Sequence, residues 1–291
     1  MFYTDNSQIP SINTIIRNYR LDYLMIITPS SVLFNARDVT NGQQKVLKFI
    51  KRFSGKEYRI KNEIEIMSNC KHPNIVKINE DFKYKQFHVI VLDFTPFRCL
   101  STLIHSQYSH GIPENACKIM FYQLLDGLNY LHSQGFAHID IKTGNFLVQN
   151  GDLENPFVQL SDFGYAQSLP DGKLGTEFIG TPDYSAPEIF TKTKYSKAVD
   201  MWSMGVCLFE MLSGQTPWPQ TSKKEILISI LLGKFNFDSP LWQNISIEAK
   251  DLIKQLICVN PRKRLTAKEA MNHPWFKDVY KGSWSNFNQS N

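Results

Sequence analysis

Two short segments constrain this chain of 291 residues most strongly: HIDIKTGN at residues 138–145 and DFG at residues 162–164. The first places an acid, a cation and an amide at short fixed offsets, and the second adds another acid 22 residues after Asp140. Phosphoryl transfer from a nucleotide requires these groups, because an acid orients the accepting hydroxyl and a cation offsets charge on the moving phosphoryl group. We therefore predict Asp140 and Lys142 as catalytic residues.

The amide and the second acid suit a hard metal ion. Asn145 and Asp162 offer oxygen ligands, and Mg²⁺ is typically held by few protein oxygens while it keeps waters and substrate phosphates. A simpler interpretation exists for Asp140, since an isolated aspartate between two isoleucines is more often a turn or capping residue. The offset of five residues from Asp140 to Asn145, followed by DFG, argues against that interpretation.

Composition indicates a folded chain. Hydrophobic residues make up 42% and aromatic residues 13% of the sequence, enough for a sizeable core in one large domain or in two lobes that share a cleft. The formal net charge of +5 is modest and the basic residues are scattered among acids. This pattern favours a solvated, slightly basic surface over a nucleic-acid-binding face.

Cysteine usage and apolar runs favour a cytoplasmic protein, with the nucleus as the alternative. The five cysteines are odd in number and widely separated, without the close spacing of a zinc site, which favours reduced thiols. A basic region followed by an apolar run, typical of secretory signals, is not seen at the N-terminus. The longest apolar run, at residues 226–232, is too short to span a membrane. We expect no membrane partner.

The first third of the chain has strand-like patterning around one helix. Apolar and β-branched residues fill much of 19–51, interrupted by Asn41-Gly42, a dipeptide typical of hairpin turns. Residues 57–70 have helical spacing of apolar side chains. Two further strands are predicted over 75–82 and 87–94.

The rest of the chain is predicted to be helical. Amphipathic or wholly apolar segments recur at residues 115–133, 199–212, 226–232, 247–259 and 266–272. A β-rich third followed by a helical remainder predicts an α+β fold with two lobes, a small antiparallel sheet lobe with one helix and a larger α-helical lobe. Residues 1–18 are predicted as an N-terminal extension and 277–291 as a polar tail.

A lysine in the first third has a candidate partner on the predicted helix. Lys48 lies among apolar residues of a strand and Glu63 lies on the helix that follows. A half-buried lysine normally needs a partner, and such a pair places an ammonium group where nucleotide phosphates arrive. From these two residues alone, a pair of solvated surface charges is an equally good interpretation. The downstream motifs favour the functional one.

Several motifs, in order, resemble those of eukaryotic protein kinases. HIDIKTGN resembles the catalytic loop and DFG the metal-binding triplet, and Lys142 in the loop is the form typical of serine/threonine kinases. GTPDYSAPE at 180–188 resembles the substrate-docking segment, and DMWSMG at 200–205 resembles the buried helix that supports the loop. HPWF at 273–276 is most similar to the calcium/calmodulin-dependent-kinase-like group. The resemblance spans 19–276.

This resemblance implies a serine/threonine protein kinase that transfers the γ-phosphoryl group of ATP, with Mg²⁺, to hydroxyls of protein substrates. It implies a kinase domain over 19–276, with an N-lobe over 19–93 and a C-lobe over 94–276. It also implies that Asp200 bonds the backbone of the catalytic loop and that Arg264 pairs with Glu188. The implied nucleotide-contacting residues are Ile26, Ile27, Thr28, Ser31, Leu33, Ala36, Lys48, Glu63, Leu92, Asp93, Thr95 and Leu147.

The chain departs from the family where a glycine-rich turn is expected. Alignment back from Lys48 puts Ile26, Thr28 and Ser31 at the three glycine positions, with Pro29 at the tip. Glycine permits close backbone approach to phosphates, whereas β-branched residues resist it and proline removes a donor. The hydroxyls of Thr28, Ser30 and Ser31 offer substitute phosphate contacts. We expect ATP to bind, but more weakly than in ordinary kinases.

Two further departures concern regulation and substrate choice. Ile139 stands where many kinases carry an arginine that pairs with a phosphorylated activation loop, and Glu177 falls near the usual phosphorylated position. Activity is therefore expected not to require loop phosphorylation. Cys99 and Gly144 stand where kinases directed to basic substrates often carry acids, although Glu210 remains. A strong preference for basic substrates is not expected.

Three alternatives define the functional hypothesis. The favoured one is an active, monomeric protein kinase, supported by the retained acid, cation and amide of residues 138–145. The second is a pseudokinase that acts as a binding or scaffolding module, favoured by the loop without glycine. A small-molecule kinase fits least, because such enzymes generally lack a segment like 180–188. The residues after Phe276 show no basic amphipathic helix, so calmodulin binding is not expected within this chain.

Overall fold

The chain divides into two compact units. One comprises Met1–Lys71 and Val76–Thr95, and the other comprises His72–Ile75 and Pro96–Asn291. The first contains the β-rich third expected from the sequence, and the second contains the helical remainder. The computed structural model describes residues 9–28, 31–52, 57–96, 99–177, 180–191, 193–218 and 222–279.

A six-stranded antiparallel sheet with one helix forms the first unit. Its elements are β1 (Ile15–Ile16), β2 (Tyr19–Ile27), β3 (Ser31–Asp38), β4 (Gln44–Lys51), α1 (Glu57–Asn69), β5 (Ile78–Tyr84) and β6 (Phe87–Asp93). The strands are ordered β1-β2-β3-β4-β6-β5. The predicted Asn41-Gly42 turn lies between β3 and β4, where Gly42 adopts a φ of +76°, a region open to glycine at little cost.

Alternation along the strands gives this sheet two different faces. One face carries Phe34, Phe49 and Phe87, whose rings meet edge to face with centroids 5.6 and 5.8 Å apart. On the other face, Ile50 and Ile90 form a cluster with Ile60 of α1. Side chains two residues apart on a strand share a face, so Lys48 of β4 lies on the same side as Ile50.

Part of the predicted N-terminal extension belongs to the sheet. Strand β1 pairs with the start of β2, with Ile15 opposite Arg20 and Ile16 opposite Tyr19. Ile16 and Tyr19 are both buried in the core of the unit. Two adjacent apolar residues are too few for periodicity to reveal a strand, so this pairing could not be predicted.

Helices dominate the second unit. In the described part they are α2 (Leu100–Gln107), α3 (Glu114–Ser133), α4 (Pro187–Phe190), α5 (Ala198–Ser213), α6 (Lys223–Leu232), α7 (Ile247–Leu256) and α8 (Ala267–Met271). Four short strands, β7 (Phe136–Ala137), β8 (Phe146–Val148), β9 (Val158–Leu160) and β10 (Gln167–Ser168), accompany them. Strand β7 pairs with β10, and β8 pairs with β9. The predicted α+β class, with a sheet part and a helical part, is confirmed.

Helix α5 is buried along nearly its whole length. Every residue from Val199 to Ser213 is buried, which explains why its sequence is almost wholly apolar rather than amphipathic. Gly205 allows α7 to approach closely, because an added Cβ would lie 2.8 Å from the Cβ of Leu256. Within the described ranges, no helix combines the length and apolar character of a membrane span.

Helix α2 was not predicted, and the strand predicted over 75–82 begins only at Ile78. In α2, Leu100 and Ile104 are the buried apolar residues, and the N-cap residue Cys99 makes no side-chain capping bond. Two buried positions are too few for a periodic signal. Tertiary packing therefore determines this helix more than its local sequence does.

Candidate active site

One buried carboxylate fixes the backbone of the catalytic loop at residues 138–145. Asp200 of α5, with none of its surface exposed, accepts the N–H groups of His138 and Ile139, both at 2.8 Å. Its Oδ2 also lies 2.8 Å from Nε2 of His132. The contact that the resemblance implied for Asp200 is therefore confirmed.

These partners keep Asp200 ionised. Burial alone would raise its pKa, but the hydrogen bond and charge of His132, together with the charge and N–H of His138, outweigh burial and lower the pKa of Asp200 below its ordinary value. An ionised carboxylate accepts hydrogen bonds more strongly than a neutral one. The shape of the catalytic loop thus depends on a charge held at Asp200.

Ile139 adopts a strained backbone conformation within this loop. Its φ is +69°, a region that is uncommon for residues other than glycine and a true outlier for a β-branched one. The side chain is buried, and the N–H bond to Asp200 holds the peptide in place. Strain of this kind persists only where surrounding contacts over-determine it, and it clusters at functional sites.

The side chains of Lys142 and Thr181 converge on the predicted base, Asp140. Oδ1 of Asp140 accepts the Thr181 hydroxyl at 2.7 Å, and Oδ2 accepts Nζ of Lys142 at 2.6 Å. Nζ of Lys142 also donates to Oγ1 of Thr181 at 2.9 Å. Asp140 is only 3% exposed. The structure therefore joins both predicted catalytic residues to Thr181, which lies 41 residues further along the chain.

The predicted metal ligands flank this group. Nδ2 of Asn145 donates to the carbonyl of Asp140 at 2.8 Å and to its Oδ2 at 3.2 Å, so the amide oxygen is the atom suited to a metal ion. Asp162 follows Ser161, whose N–H and hydroxyl both bond the Asn145 carbonyl at 2.9 Å. Asp162 has a φ of +63°. One amide oxygen and one carboxylate fit a Mg²⁺ ion that retains waters and phosphate oxygens.

A richer metal site is not found in the described ranges. They contain no cluster of three or more His, Cys, Asp or Glu side chains arranged around a common point. Zinc sites are built from such clusters, whereas Mg²⁺ is bound by one or two carboxylates plus substrate phosphates. Asn145 and Asp162 offer one amide oxygen and one carboxylate, which is a donor set of the second kind.

In the first unit, Lys48 and Glu63 form a buried ion pair. Nζ of Lys48 lies 2.7 Å from Oε1 of Glu63, and the two side chains are 11% and 4% exposed. The alternative interpretation, two solvated surface charges, is therefore wrong. A buried pair costs desolvation energy, so its presence on the sheet face opposite the aromatic core points to a role beyond stability.

The hairpin that replaces a glycine-rich turn is closed by its own hydroxyls. The N–H of Thr28 donates to the Ser31 carbonyl at 2.8 Å, and the N–H of Ser31 donates to Oγ1 of Thr28 at 2.9 Å. The two hydroxyls lie 3.0 Å apart. Pro29 and Ser30 lie outside the described residues. Two of the three hydroxyls expected to contact phosphates, those of Thr28 and Ser31, are thus engaged with each other.

One predicted nucleotide contact requires correction. Ala36 is fully buried in the aromatic core cluster of the first unit, with Phe34. Lys48 pairs opposite Leu33 on the other face, so Ala36 points away from Lys48. Val46, which lies two residues before Lys48, shares the face of Lys48 instead. Strand alternation was the available signal.

The other predicted nucleotide contacts divide between the units. In the first unit, Ile26 and Ile27 are exposed at the end of β2, Leu92 packs against the α1 cluster, and Asp93 binds Nζ of Lys45 at 2.8 Å. Thr95 is buried at the end of the same unit. In the second unit, Leu147 is half-buried in β8.

Glu210 is closed off rather than exposed to a substrate. Its Oε2 accepts the hydroxyl of Tyr184 at 2.6 Å and that of Thr143 at 2.9 Å, and the residue is only 2% exposed. Burial raises the pKa of Glu210, although both hydrogen bonds oppose the change. The acid that the sequence left as a candidate for reading basic substrates is therefore an internal acceptor.

The predicted Glu188–Arg264 pair is confirmed. Arg264 donates through two nitrogens to the two carboxylate oxygens of Glu188, at 2.8 and 3.2 Å. It also donates to the carbonyls of Ala198 and Cys258, at 2.6 and 3.0 Å. These four bonds use four of the five N–H donors of the buried guanidinium group, and the pair anchors the end of the segment at 180–188.

The sequence of this chain is similar to those of several known proteins. The sequence model of the protein kinase domain matches residues 29–276. Calcium/calmodulin-dependent protein kinase type 1 of Macrobrachium nipponense is 36% identical over 225 residues, which is 77% of this chain and 64% of that protein. The type 1 enzyme of Caenorhabditis elegans is 35% identical, with 80% and 67% covered.

The alignment covers a smaller share of a third relative. The probable serine/threonine-protein kinase fhkE of Dictyostelium discoideum is 36% identical over 234 residues, which is 79% of this chain and 33% of that protein. The chain thus spans between one third and two thirds of the length of these three relatives. The aligned part contains the catalytic loop, and the relatives extend beyond it.

Proposed function

Because this chain belongs to the protein kinase family, we propose that it transfers the γ-phosphoryl group of MgATP to serine or threonine hydroxyls of proteins. The observation that carries the proposal is the group formed by Asp140, Lys142, Asn145 and Thr181. Lys142, Asn145 and Thr181 each lie within 2.6–3.2 Å of Asp140, so an acid, a cation and an amide are held together as phosphoryl transfer requires. A binding module would need no such set.

The roles follow from the charges and contacts of the site. Asp140 is positioned to accept or orient the substrate hydroxyl, and Lys142 beside it stabilises negative charge on the transferred group. Asn145 and Asp162 would hold Mg²⁺, which offsets charge on the phosphates. Lys48, kept in place by Glu63, would hold the α- and β-phosphates.

Selection of serine or threonine over tyrosine is assigned to the same group. Lys142 bridges Asp140 and Thr181, so the base lies close to the segment at 180–188. The hydroxyl of a substrate serine or threonine, which sits on a short aliphatic side chain, is expected to reach Asp140 in this position. Equal initial rates on matched serine and tyrosine peptides would contradict this assignment.

We predict weak binding of ATP. Thr28 and Ser31 bond each other, and Ile26 stands at a third glycine position, so backbone donors approach phosphates less closely. Isothermal titration with MgATP should give a dissociation constant above the low micromolar range. Replacing Ile26 and Ser31 together with glycine should tighten binding by about tenfold, which corresponds to one or two recovered hydrogen bonds. A low micromolar constant for the unaltered protein would refute the prediction.

We predict that activity does not depend on phosphorylation of the segment between DFG and 180–188. Ile139 offers no cation to a phosphate, and Thr181 already contacts Asp140 and Lys142. Phosphatase-treated and untreated protein should therefore show the same initial rate on a peptide substrate. Intact-mass spectrometry verifies removal of phosphate. A large loss of activity after phosphatase treatment would contradict this prediction.

The second candidate function is a pseudokinase, favoured by the self-bonded hairpin at Thr28 and Ser31. A thermal-shift titration separates the two, because a ligand that binds only the native state raises the melting temperature by mass action. An upward shift with MgATP at millimolar concentration, together with transfer to a serine peptide, supports the enzyme. No shift and no transfer would support the binding module.

Partners follow from the same features. We propose protein substrates without a strong requirement for basic residues, because Glu210 is enclosed by Tyr184 and Thr143. A peptide-library screen in which arginine dominates would contradict this.

We also propose that these 291 residues do not bind calmodulin, although two of the relatives are named as calmodulin-dependent. Capture on calcium-loaded calmodulin would contradict that proposal.

A further inference from the structure

We infer that Tyr195 is a positioning residue that fixes the described part, residues 165–177, of the segment between DFG and residues 180–188 through neutral contacts. The inference rests on the proposed function, since it explains how this segment is ordered for catalysis without a phosphate. The contacts form a unit, the Tyr195 clasp, which consists of Tyr195 with Gln167, Gly175 and Glu177.

The clasp contains a two-way backbone bridge. The N–H of Gly175 donates to the carbonyl of Tyr195 at 2.8 Å, and the N–H of Tyr195 donates to the carbonyl of Gly175 at 3.1 Å. Neither residue belongs to a longer strand. This bridge therefore ties one point of the segment to the chain that follows α4.

The ring of Tyr195 packs directly on Gly175. A Cβ added at Gly175 would lie 2.3 Å from Cε2 and 2.5 Å from Cζ of the ring, far closer than real side chains approach. The φ of Gly175 lies outside the left-handed region, so glycine is needed for space and not for conformation. The ring and the glycine are therefore fitted to each other.

The hydroxyl of Tyr195 makes the remaining contacts of the clasp. It donates to Oε1 of Gln167 at 3.1 Å and accepts the backbone N–H of Glu177. Tyr195 is only 3% exposed, and burial raises the pKa of its hydroxyl to about 12. The hydroxyl of Tyr195 is therefore neutral at physiological pH. It links Gln167 and Glu177, which lie ten residues apart in the sequence.

The two ends of the segment are tied to the catalytic loop by other contacts. At its start, Gln167 and Ser168 form β10, which pairs with β7 directly before residues 138–145. At its end, Thr181 contacts Asp140 and Lys142. The clasp adds a fixed point between these ends. Loss of the clasp would free the middle of the segment and loosen Thr181 against the base.

A nearby ion pair is too exposed to replace the clasp. Nζ of Lys197 binds Asp171 at 2.9 Å, but the Asp171 side chain is 98% exposed. Exposed pairs of this kind contribute little. At the other end, Ile139 supplies no cation. Among these contacts, the neutral ones at Tyr195 are the ones shielded from water and salt.

The test compares Tyr195→Phe and Gly175→Ala with a matched control. Tyr195→Phe keeps the ring and removes both hydroxyl bonds, whereas Gly175→Ala wedges the ring away. Tyr122→Phe is the control, because Tyr122 is a buried tyrosine of α3 whose ring packs on Phe276. Hydrogen exchange of peptides covering 167–177 is measured beside kcat, the KM for peptide and the KM for ATP.

Both clasp variants should exchange about tenfold faster over 167–177, since one or two hydrogen bonds are lost, while peptides of α3 and α5 stay protected. They should lower kcat/KM for the peptide by about the same factor and leave the KM for ATP unchanged. The double variant should add little to either single one, because both changes act on one contact. The control should change neither readout.

Unchanged exchange over 167–177 in both variants would overturn the inference, whatever the activity. Faster exchange with an unaltered kcat/KM would also overturn it, because the clasp would then be structural only. If the unaltered protein transfers no phosphate, the proposed function fails. The exchange comparison then still decides whether Tyr195 orders the segment.

Discussion

Replacing Asp140 with asparagine is expected to lower kcat for phosphoryl transfer by about 10³-fold, within the range usual for loss of a positioned acid or base. The substitution preserves shape, and an amide oxygen can still accept from Thr181. It removes the negative charge that Lys142 neutralises at 2.6 Å and the proton acceptor for the substrate hydroxyl. Steady-state kinetics on a serine peptide at saturating MgATP measures the loss.

The control for this variant is Asp152→Asn. Asp152 lies in an exposed loop of the same unit, where it accepts the N–H of Glu154, outside the site. Its kcat should equal that of the unaltered protein. The melting temperatures of the two variants should also agree closely, because the side chain of Lys142 is 28% exposed and water can solvate its charge when Asp140 is neutralised. A kcat for Asp140→Asn within a few-fold of normal would show that Asp140 is not the base.

Replacing Glu188 with glutamine should destabilise the second unit strongly. Arg264 has a fully buried side chain, and removal of one partner leaves an uncompensated buried charge. Such losses cost about 3 kcal/mol or more, which corresponds to a fall in melting temperature of about 6–12 °C for a unit of this size. Thermal unfolding followed by near-ultraviolet circular dichroism measures the change.

The matched control removes a charge from an exposed pair in the same unit. Asp171→Asn breaks the contact with Lys197. The carboxylate of Asp171 lies almost wholly in water. Exposed pairs contribute little, so its melting temperature should not change measurably. If Glu188→Gln and Asp171→Asn shift the melting temperature equally, then burial does not govern the strength of these pairs.

The elements that the sequence predicted well are those with long, consistent patterns. Helix α5 was evident from its apolar run, and α1 from its helical spacing. Strand β1 and helix α2 escaped prediction because each has only one or two buried apolar positions, at Ile16 and at Leu100 and Ile104. Their conformation is set by packing against neighbours distant in sequence, which periodicity does not report.

The candidate site shows the same division between local and distant contacts. The spacing within residues 138–145 pointed to Asp140, Lys142 and Asn145, and their contacts are local. The place of Thr181 beside Asp140 and the enclosure of Glu210 depend on contacts across 41 and 67 residues of sequence. No spacing rule predicts these. The misplaced Ala36 is different, because strand alternation would have assigned it to the core.

Tyr195 belongs to no motif that the sequence singled out. The only local signal was Gly175, a glycine without a turn partner, and its meaning became clear only from the ring packed against it. The positive φ of Ile139 was equally hidden, since an isoleucine is among the residues least expected there. Strained and fitted positions of this kind need coordinates to be recognised.

We propose that the chain is an active kinase despite the loss of the loop glycines. The decisive experiment measures transfer of ³²P from Mg[γ-³²P]ATP to a generic serine-containing protein by phosphatase-treated unaltered protein and by Asp140→Asn. We expect incorporation on serine or threonine that grows with time in the unaltered protein and is close to background in Asp140→Asn. Equal incorporation by the two proteins would contradict the claim.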